Sequence, residues 1–173
     1  HAQDLMNRDI LAVDLRSGRR NTVLKGSLTN AHRKLEELSF WDPLTGLPNR
    51  LRFEERIDDA LAHLGRHPSA MAVMFIDIDG FKAVNDSRGH AAGDEVLREA
   101  GHRLAGLMRP EDTAARVAGD EFLVLMVDPG SNQAAAKLAQ QIIDALALPF
   151  ELTQNGDVRL SCSIGIAMFP EHG

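Results

Sequence analysis

Two pairs of carboxylates stand where a folded chain could bring them together. Asp77 and Asp79 lie two residues apart at the end of an apolar run, so on a strand both side chains point to one face. Asp120 and Glu121 are adjacent in a glycine-containing turn. If the strands flanking this turn neighbour the first strand, these carboxylates share a small volume. Carboxylates so clustered repel one another or hold protons, whereas Mg²⁺ binds such hard oxygen ligands together with substrate phosphates.

Each pair alone also has an ordinary structural explanation. An acidic turn is most often a solvated loop, and acidic pairs at strand ends are common. The segment 80–94, which directly follows the first pair, favours a ligand site instead. Its glycines let backbone N–H groups approach phosphates, and Asn85 and Asp94 offer an amide and a carboxylate that match a guanine edge.

The composition excludes several classes of protein. The 173 residues are 44% apolar and 25% charged, as in one globular domain with an appendage. The net charge of −6 argues against a nucleic-acid-binding surface. The single cysteine, Cys162, excludes an internal disulfide and a thiolate metal cage. No run is long enough to cross a bilayer and no signal-peptide pattern opens the sequence, so we expect a cytoplasmic domain, whose parent protein could be membrane-anchored through other segments.

Periodicity predicts the elements that position the carboxylates. Apolar residues at helical spacing predict helices over Arg50–Leu64 and Asp94–Met108. The run Ala70–Ile78 is apolar on both faces until its acidic end, as in a central buried strand. Thr113–Val117 and Phe122–Val127 are predicted to be strands joined by the tight turn at residues 118–121.

The remaining pattern completes an α/β sandwich. Ser131 is expected to cap a helix that runs to about Leu146. Asn155-Gly156 then turns a last hairpin whose second arm is Val158–Ala167. The element order is helix, strand, helix, helix, hairpin, helix, hairpin, which predicts an α+β fold with a mixed, largely antiparallel, five-stranded sheet flanked by helices.

Residues 1–40 are predicted to form a helical linker, and residues 41–173 the domain. Residues 1–22 carry little pattern, whereas leucines and Ala31 recur at alternating four- and three-residue spacing over Leu24–Leu38. Such a stripe fits either a signalling coiled coil or a helix that packs on its own domain.

Four separated blocks resemble the GGDEF family of diguanylate cyclases in order and spacing. They are DPLTGLPNR from Asp42, FIDIDGFKAVNDSRGHAAGD from Phe75, RVAGDEF from Arg116 and SIGIA from Ser163. The resemblance covers Asp42 to the end, about three quarters of the chain. It implies a palm-type, nucleotide-cyclase-like fold that joins two GTP molecules into cyclic di-GMP, with two Mg²⁺ or Mn²⁺ ions per active site.

The resemblance also assigns roles to individual residues. Metal ligands are expected at the Asp77 carboxylate, the Ile78 carbonyl and Asp120, with Glu121 beside them, and the catalytic residues are Asp120, Glu121 and Asp77. Asn85 and Asp94 match the guanine-recognition pair. The other GTP contacts are expected from His90, which has an equally good structural explanation, Lys82 and Phe81 at the phosphates, and Leu44 and Leu97 at the base. Asp79, Asn49 and Arg50 are expected to support the frame.

The implied partners follow from the product. Each domain offers one guanine site while cyclic di-GMP contains two guanylyl units, so two domains must meet, most simply as a transient twofold homodimer. The family's parent proteins often add sensor domains and EAL phosphodiesterase domains. Arg109 and Asp112 form an RxxD tetrapeptide at the position where many members bind their own product as an inhibitor.

Two departures from the pattern and two alternatives remain. Ala118 replaces the first glycine of the signature, which would cost about 1 kcal/mol if that position needs a positive φ. The family continues beyond the SIGIA strand with a basic helix, so this chain is expected to be truncated.

One alternative function is that of a catalytically silent GTP-binding module that regulates a phosphodiesterase domain. A palm-type polymerase or mononucleotide cyclase is disfavoured by the Asn85 and Asp94 pair and the lack of a basic surface.

Overall fold

The computed structural model describes residues 40–64, 69–154 and 156–170. The predicted helix over residues 24–38, and nearly all of the predicted linker, lie outside these residues. The described elements, in chain order, are α1 (Arg50–Leu64), β1 (Met71–Asp79), α2 (Phe81–Arg88), α3 (His90–Leu107), β2 (Thr113–Ala118), β3 (Glu121–Val127), α4 (Asn132–Ala147) and β4 (Ser161–Phe169).

The sheet has the strand order β2-β3-β1-β4, with β1 and β3 inside. All three neighbouring pairs are antiparallel. The predicted α/β architecture with helices around a largely antiparallel sheet is confirmed. Among the described residues, however, the sheet is purely antiparallel and has four strands, so the prediction of a mixed, five-stranded sheet is wrong.

The missing strand is the first arm of the predicted last hairpin. Phe150 and Val158 form only an isolated bridge, with two backbone hydrogen bonds of 2.8 and 3.0 Å. Arg103 fixes the preceding turn instead, because its guanidinium donates to the carbonyls of Leu148 and Pro149 at 2.8 and 2.7 Å. The second arm is displaced as well: β4 spans Ser161–Phe169 because it pairs with β1 along its whole length.

Alternation along β1 divides the core into two layers. Even-numbered residues from Ala72 to Ile78 are buried against α2, α3 and α4, whereas Met71, Val73 and Phe75 face α1. Asp77 and Asp79 continue the α1-facing row at the end of the strand, where the apolar cluster stops. The two carboxylates therefore lie at the end of an inner strand, on the α1-facing side of the sheet.

Helix ends match local signals better than strand ends do. Ser131 caps α4 as predicted, since its hydroxyl accepts a hydrogen bond from the Ala134 N–H at 3.2 Å. α3 begins at His90 rather than Asp94, because α2 ends at Arg88 and only Gly89, with a φ of +82°, separates the two helices. In the part of the chain that the structure describes, no helix has the length and apolar character needed to span a membrane.

Candidate functional site

The antiparallel register of β1 and β3 gathers the predicted catalytic carboxylates. Asp77 is the register partner of Glu121, and Asp120 precedes Glu121 in the turn from β2. Burial, then the negative charge of Asp120 and then that of Asp79, raise the pKa of Asp77 above its ordinary value of 3.8. The ionised carboxylates thus repel one another, as expected of a site that accepts a cation.

Asp79 has a different environment. Its two carboxylate oxygens accept hydrogen bonds from the hydroxyls of Ser161 and Ser163 on β4, at 3.0 and 2.9 Å. These bonds join the ends of β1 and β4 and use the acceptors that a metal would need. The position of Asp79 agrees with the supporting role expected from the sequence.

Asp77 and Asp120 are the interacting carboxylates that a cation at the end of β1 would meet. Within residues 40–64, 69–154 and 156–170, no three His, Cys, Asp or Glu side chains are grouped so as to hold a metal ion. Mg²⁺ in phosphate-processing sites commonly uses only one or two carboxylates, with phosphates and water completing its shell. Asp77 and Asp120 would supply two such carboxylates. The nearby Cys162 does not add a thiolate, since burial and the charge of Asp79 raise its pKa to about 11.

The turn between β2 and β3 resolves the question raised by Ala118. Gly119 has a φ of +47°, whereas Ala118 has a negative φ. A left-handed φ is therefore required at the second position of the signature and not at the first. Ala118 ends β2 just after a bulge in the β2–β3 ladder, and it adds no backbone strain to the turn.

Arg116 fixes this turn to the beginning of the domain. Its Nε donates to the Gly119 carbonyl at 2.9 Å, while Nη1 donates to both Asp42 carboxylate oxygens at 3.1 and 3.2 Å. Asp42 also accepts from the Thr45 N–H and hydroxyl, at 2.8 and 2.7 Å. The first block of the sequence thus supports the residue that precedes Asp120, a link that sequence spacing alone did not reveal.

The charge of Asp42 should make stability depend on pH. Burial by itself raises the pKa of Asp42, but the hydrogen bonds from Thr45 and Arg116 outweigh burial and hold the pKa below 3.8. A lowered folded-state pKa contributes stability that is present above the unfolded value and lost as pH falls through the folded value. We expect Asp42→Asn to be less stable than wild type above about pH 5.

This difference should shrink as the pH falls through the lowered folded-state pKa of Asp42, below which the wild-type carboxyl is also neutral. Urea unfolding of both proteins from pH 3 to 7 measures it. A difference independent of pH would show that the carboxylate charge does not stabilise the fold.

The predicted GTP-binding residues follow the carboxylates directly. Gly80 separates β1 from α2, and Lys82 lies exposed in the first turn of that helix. Asn85 is half-buried on α2, where it faces α3 at Gly93, the residue before half-buried Asp94. His90 is exposed at the start of α3. The structure therefore places the amide and the carboxylate of the predicted guanine pair on two adjoining helices.

The apolar members of the predicted site belong mostly to the core. Phe81 is 8% exposed and Leu97 is 3% exposed, and both pack in the layer formed by α2, α3 and α4. Leu44 is half-buried against the same layer. Leu97 therefore offers little surface to a base, and a phosphate contact at Phe81 would have to use its backbone.

The RxxD residues form a closed ion pair. Arg109 Nε and Nη2 donate to Asp112 Oδ2 and Oδ1, each at 2.8 Å. Asp112 also accepts from the backbone N–H groups of Arg109 and Val127, at 3.3 and 3.2 Å. The Asp112 side chain is only 1% exposed, against 42% for Arg109. In this arrangement the Asp112 carboxylate already accepts four hydrogen bonds inside the protein.

Comparison with known proteins identifies the family. The family model "Diguanylate cyclase, GGDEF domain" matches residues 39–173. The chain belongs to the GGDEF domain family. This GGDEF domain is 40% identical over 164 residues to the bifunctional diguanylate cyclase/cyclic di-GMP phosphodiesterase MucR of Pseudomonas aeruginosa, covering 95% of this chain and 24% of MucR.

A second relative supports the same assignment in sequence and in structure. The diguanylate cyclase TpbB of Pseudomonas aeruginosa is 42% identical over 145 residues, which cover 84% of this chain and 33% of TpbB. A solved structure of the TpbB GGDEF domain superposes with a TM-score of 0.74 at 44% identity and covers 77% of each chain. The chain thus spans 24% and 33% of the length of these two curated relatives.

Proposed function

We propose that this GGDEF domain is a diguanylate cyclase, which condenses two GTP molecules into cyclic di-GMP and releases pyrophosphate. The observation that carries the proposal is the position of the Asp77 and Asp120 carboxylates at the end of β1, where the segment with Asn85 and Asp94 begins. Neither feature alone specifies the reaction. Together they would provide a cation site and, on α2 and α3 directly after it, a guanine site.

Different residues of this chain would bind the metal ions and accept the proton during phosphoryl transfer. Asp77, Asp120 and the Ile78 carbonyl would hold two Mg²⁺ or Mn²⁺ ions, with Glu121 beside them. When bound, such ions neutralise phosphate charge and make a hydroxyl more acidic. Asp120 or Glu121 would accept the proton as the 3′-hydroxyl of one GTP attacks the α-phosphorus of the other and expels pyrophosphate.

Binding would depend on α2 and α3. The first turn of a helix has backbone N–H groups without intrahelical partners, so the N–H groups after Gly80, together with the Lys82 ammonium, suit phosphate. Asn85 and Asp94 would hold the guanine by its amide and carboxylate hydrogen-bonding pattern. Because each domain would orient only one GTP, two domains must face each other, which makes the active species a transient homodimer.

This requirement gives the experiment that tests the proposal. Pyrophosphate release from GTP with Mg²⁺ is measured over a hundredfold range of protein concentration, with ATP as the control nucleotide. We expect the rate per protein molecule to rise with concentration until dimers saturate, and ATP to be inert. A concentration-independent rate would contradict the two-domain site.

One relative favours a second candidate. PdeR of Escherichia coli is 39% identical over 143 residues, which cover 83% of this chain and 21% of PdeR, and it is named as a cyclic di-GMP phosphodiesterase and not as a cyclase. A catalytically silent GTP-binding module that regulates a neighbouring phosphodiesterase domain would keep the same binding residues. It would bind GTP in a calorimetric titration and release no pyrophosphate in the experiment above at any protein concentration.

Product inhibition at Arg109 and Asp112 is part of the proposal. A guanine edge could pair with Asp112 only by replacing the Arg109 guanidinium, which would then be free to bind the phosphates of cyclic di-GMP. We expect Arg109→Lys, which keeps the charge and loses the planar fork, to weaken cyclic di-GMP binding at least about tenfold. Calorimetry on folded wild-type and variant protein measures this affinity, and equal affinities would exclude the site.

A further inference from the structure

Gly93 lies where α3 passes closest to the side chain of Asn85. A Cβ atom added to Gly93 would overlap Asn85 Oδ1, and it would lie 3.0 Å from Asn85 Cγ and 3.1 Å from Phe81 Cζ. The added Cβ would lie closer to Asn85 Oδ1 than 3.0 Å, a separation below which real Cβ atoms essentially never contact another heavy atom. The Asn85 carboxamide therefore occupies the volume that any other residue at position 93 would fill.

The glycine has no evident benefit for the helix itself. Gly93 is buried within α3, and glycine is the least favourable residue in a helix interior apart from proline. Gly106, near the end of the same helix, has no atom within 4 Å of an added Cβ. The two positions share a helix and differ in whether a side chain would meet Asn85.

We propose that Gly93 is a positioning residue for nucleotide selectivity: its missing side chain lets the Asn85 carboxamide lie against α3 at the residue before Asp94. The inference rests on the proposed function, in which Asn85 and Asp94 recognise guanine. It adds that the selectivity of the pair depends on a residue that need not touch the nucleotide.

The physical argument identifies which group would move in Gly93→Ala. The backbone of α3 is held by its own hydrogen bonds, and Phe81 is 8% exposed within the core. The Asn85 carboxamide is half-buried and ends a flexible side chain, so rotating it is the easiest way to remove the overlap. The fold would survive while the amide leaves the position from which it can bond a guanine.

Binding to the intact protein tests the proposal. Affinities for GTP and ATP with Mg²⁺ are measured by calorimetry for wild type, Gly93→Ala, Asn85→Ala, the double variant and the control Gly106→Ala. We expect Gly93→Ala to lose about tenfold in GTP affinity, equivalent to about 1.4 kcal/mol, with ATP affinity unchanged. Gly93→Ala should add nothing in the Asn85→Ala background, and Gly106→Ala should behave as wild type.

The Asn85 side-chain amide resonance provides a readout independent of function. It should shift in Gly93→Ala and stay in place in Gly106→Ala. If Gly93→Ala is unstable, the double variant should melt higher than the single one, because removing the carboxamide relieves the overlap. Wild-type GTP affinity in Gly93→Ala together with an unmoved Asn85 resonance would overturn the inference. If wild type itself does not prefer GTP to ATP, the proposed function fails, while the resonance still decides the position of Asn85.

Discussion

Asp77→Asn and Asp120→Asn are each expected to lower turnover by roughly 10²–10³-fold or more while the protein stays folded. Both carboxylates interact across the end of β1, and the charge of Asp120 contributes to the raised pKa of Asp77. Each amide removes an anionic ligand from the proposed Mg²⁺ site. Initial rates at saturating GTP, measured over a range of Mg²⁺ concentrations, determine whether the loss reflects metal binding.

Stability separates this effect from unfolding. The raised pKa of Asp77 means that its ionised form is disfavoured in the folded state, a cost present at neutral pH and absent below the ordinary carboxyl range. Apo Asp77→Asn should therefore melt at or above the wild-type temperature at pH 7, and this advantage should disappear near pH 3. Asp59→Asn, an exposed carboxylate on α1, is the matched control and should keep wild-type turnover. Normal turnover in Asp77→Asn would show that the metal assignment is wrong.

Arg109→Ala is expected to cause a large loss of stability, about 2–3 kcal/mol or roughly 5–10 °C in Tm. The substitution removes both guanidinium bonds from Asp112, whose side chain is only 1% exposed, and leaves that carboxylate with two backbone donors. A buried charge without its partner is costly. Thermal and urea unfolding measure the change.

A double variant tests whether the pair causes this loss. Arg109→Ala/Asp112→Asn should be more stable than Arg109→Ala, because the neutral amide no longer needs a cation. Lys137→Ala removes an exposed cation from α4, and it should change stability by no more than about 0.5 kcal/mol. A loss in Arg109→Ala no larger than in Lys137→Ala would contradict the structural role of the pair.

Helices and strands whose sequence signals lie within their own residues were predicted from the sequence. Helical spacing placed α1 at its observed bounds, and the Ser131 cap located the start of α4. The β2–β3 hairpin was predictable because its turn is two residues long and lies between two short apolar strands. The gathering of Asp77, Asp120 and Glu121 followed from one topological assumption, that β3 neighbours β1, and this assumption is correct.

Features that depend on distant partners were not predictable from one sequence. The ends of β4 are set by pairing with β1, and Phe150 forms a bridge rather than a strand because Arg103 and the core hold its segment. The serine hydroxyls on Asp79 come from a strand more than eighty residues later. The ion pair of Arg109 with Asp112 was not predictable from the RxxD motif either. The motif gives the spacing of the two residues but not the burial of Asp112.

Product analysis tests the central claim most directly. GTP labelled at the α-phosphorus is incubated with the protein and Mg²⁺, and the products are separated by chromatography and identified by mass spectrometry, with Asp120→Asn as the control. The account predicts that wild type forms cyclic di-GMP carrying both labelled phosphates, with two pyrophosphates released per product molecule, and that Asp120→Asn forms none. Unchanged GTP under conditions in which binding is saturated, or a mononucleotide cyclic product, would contradict it.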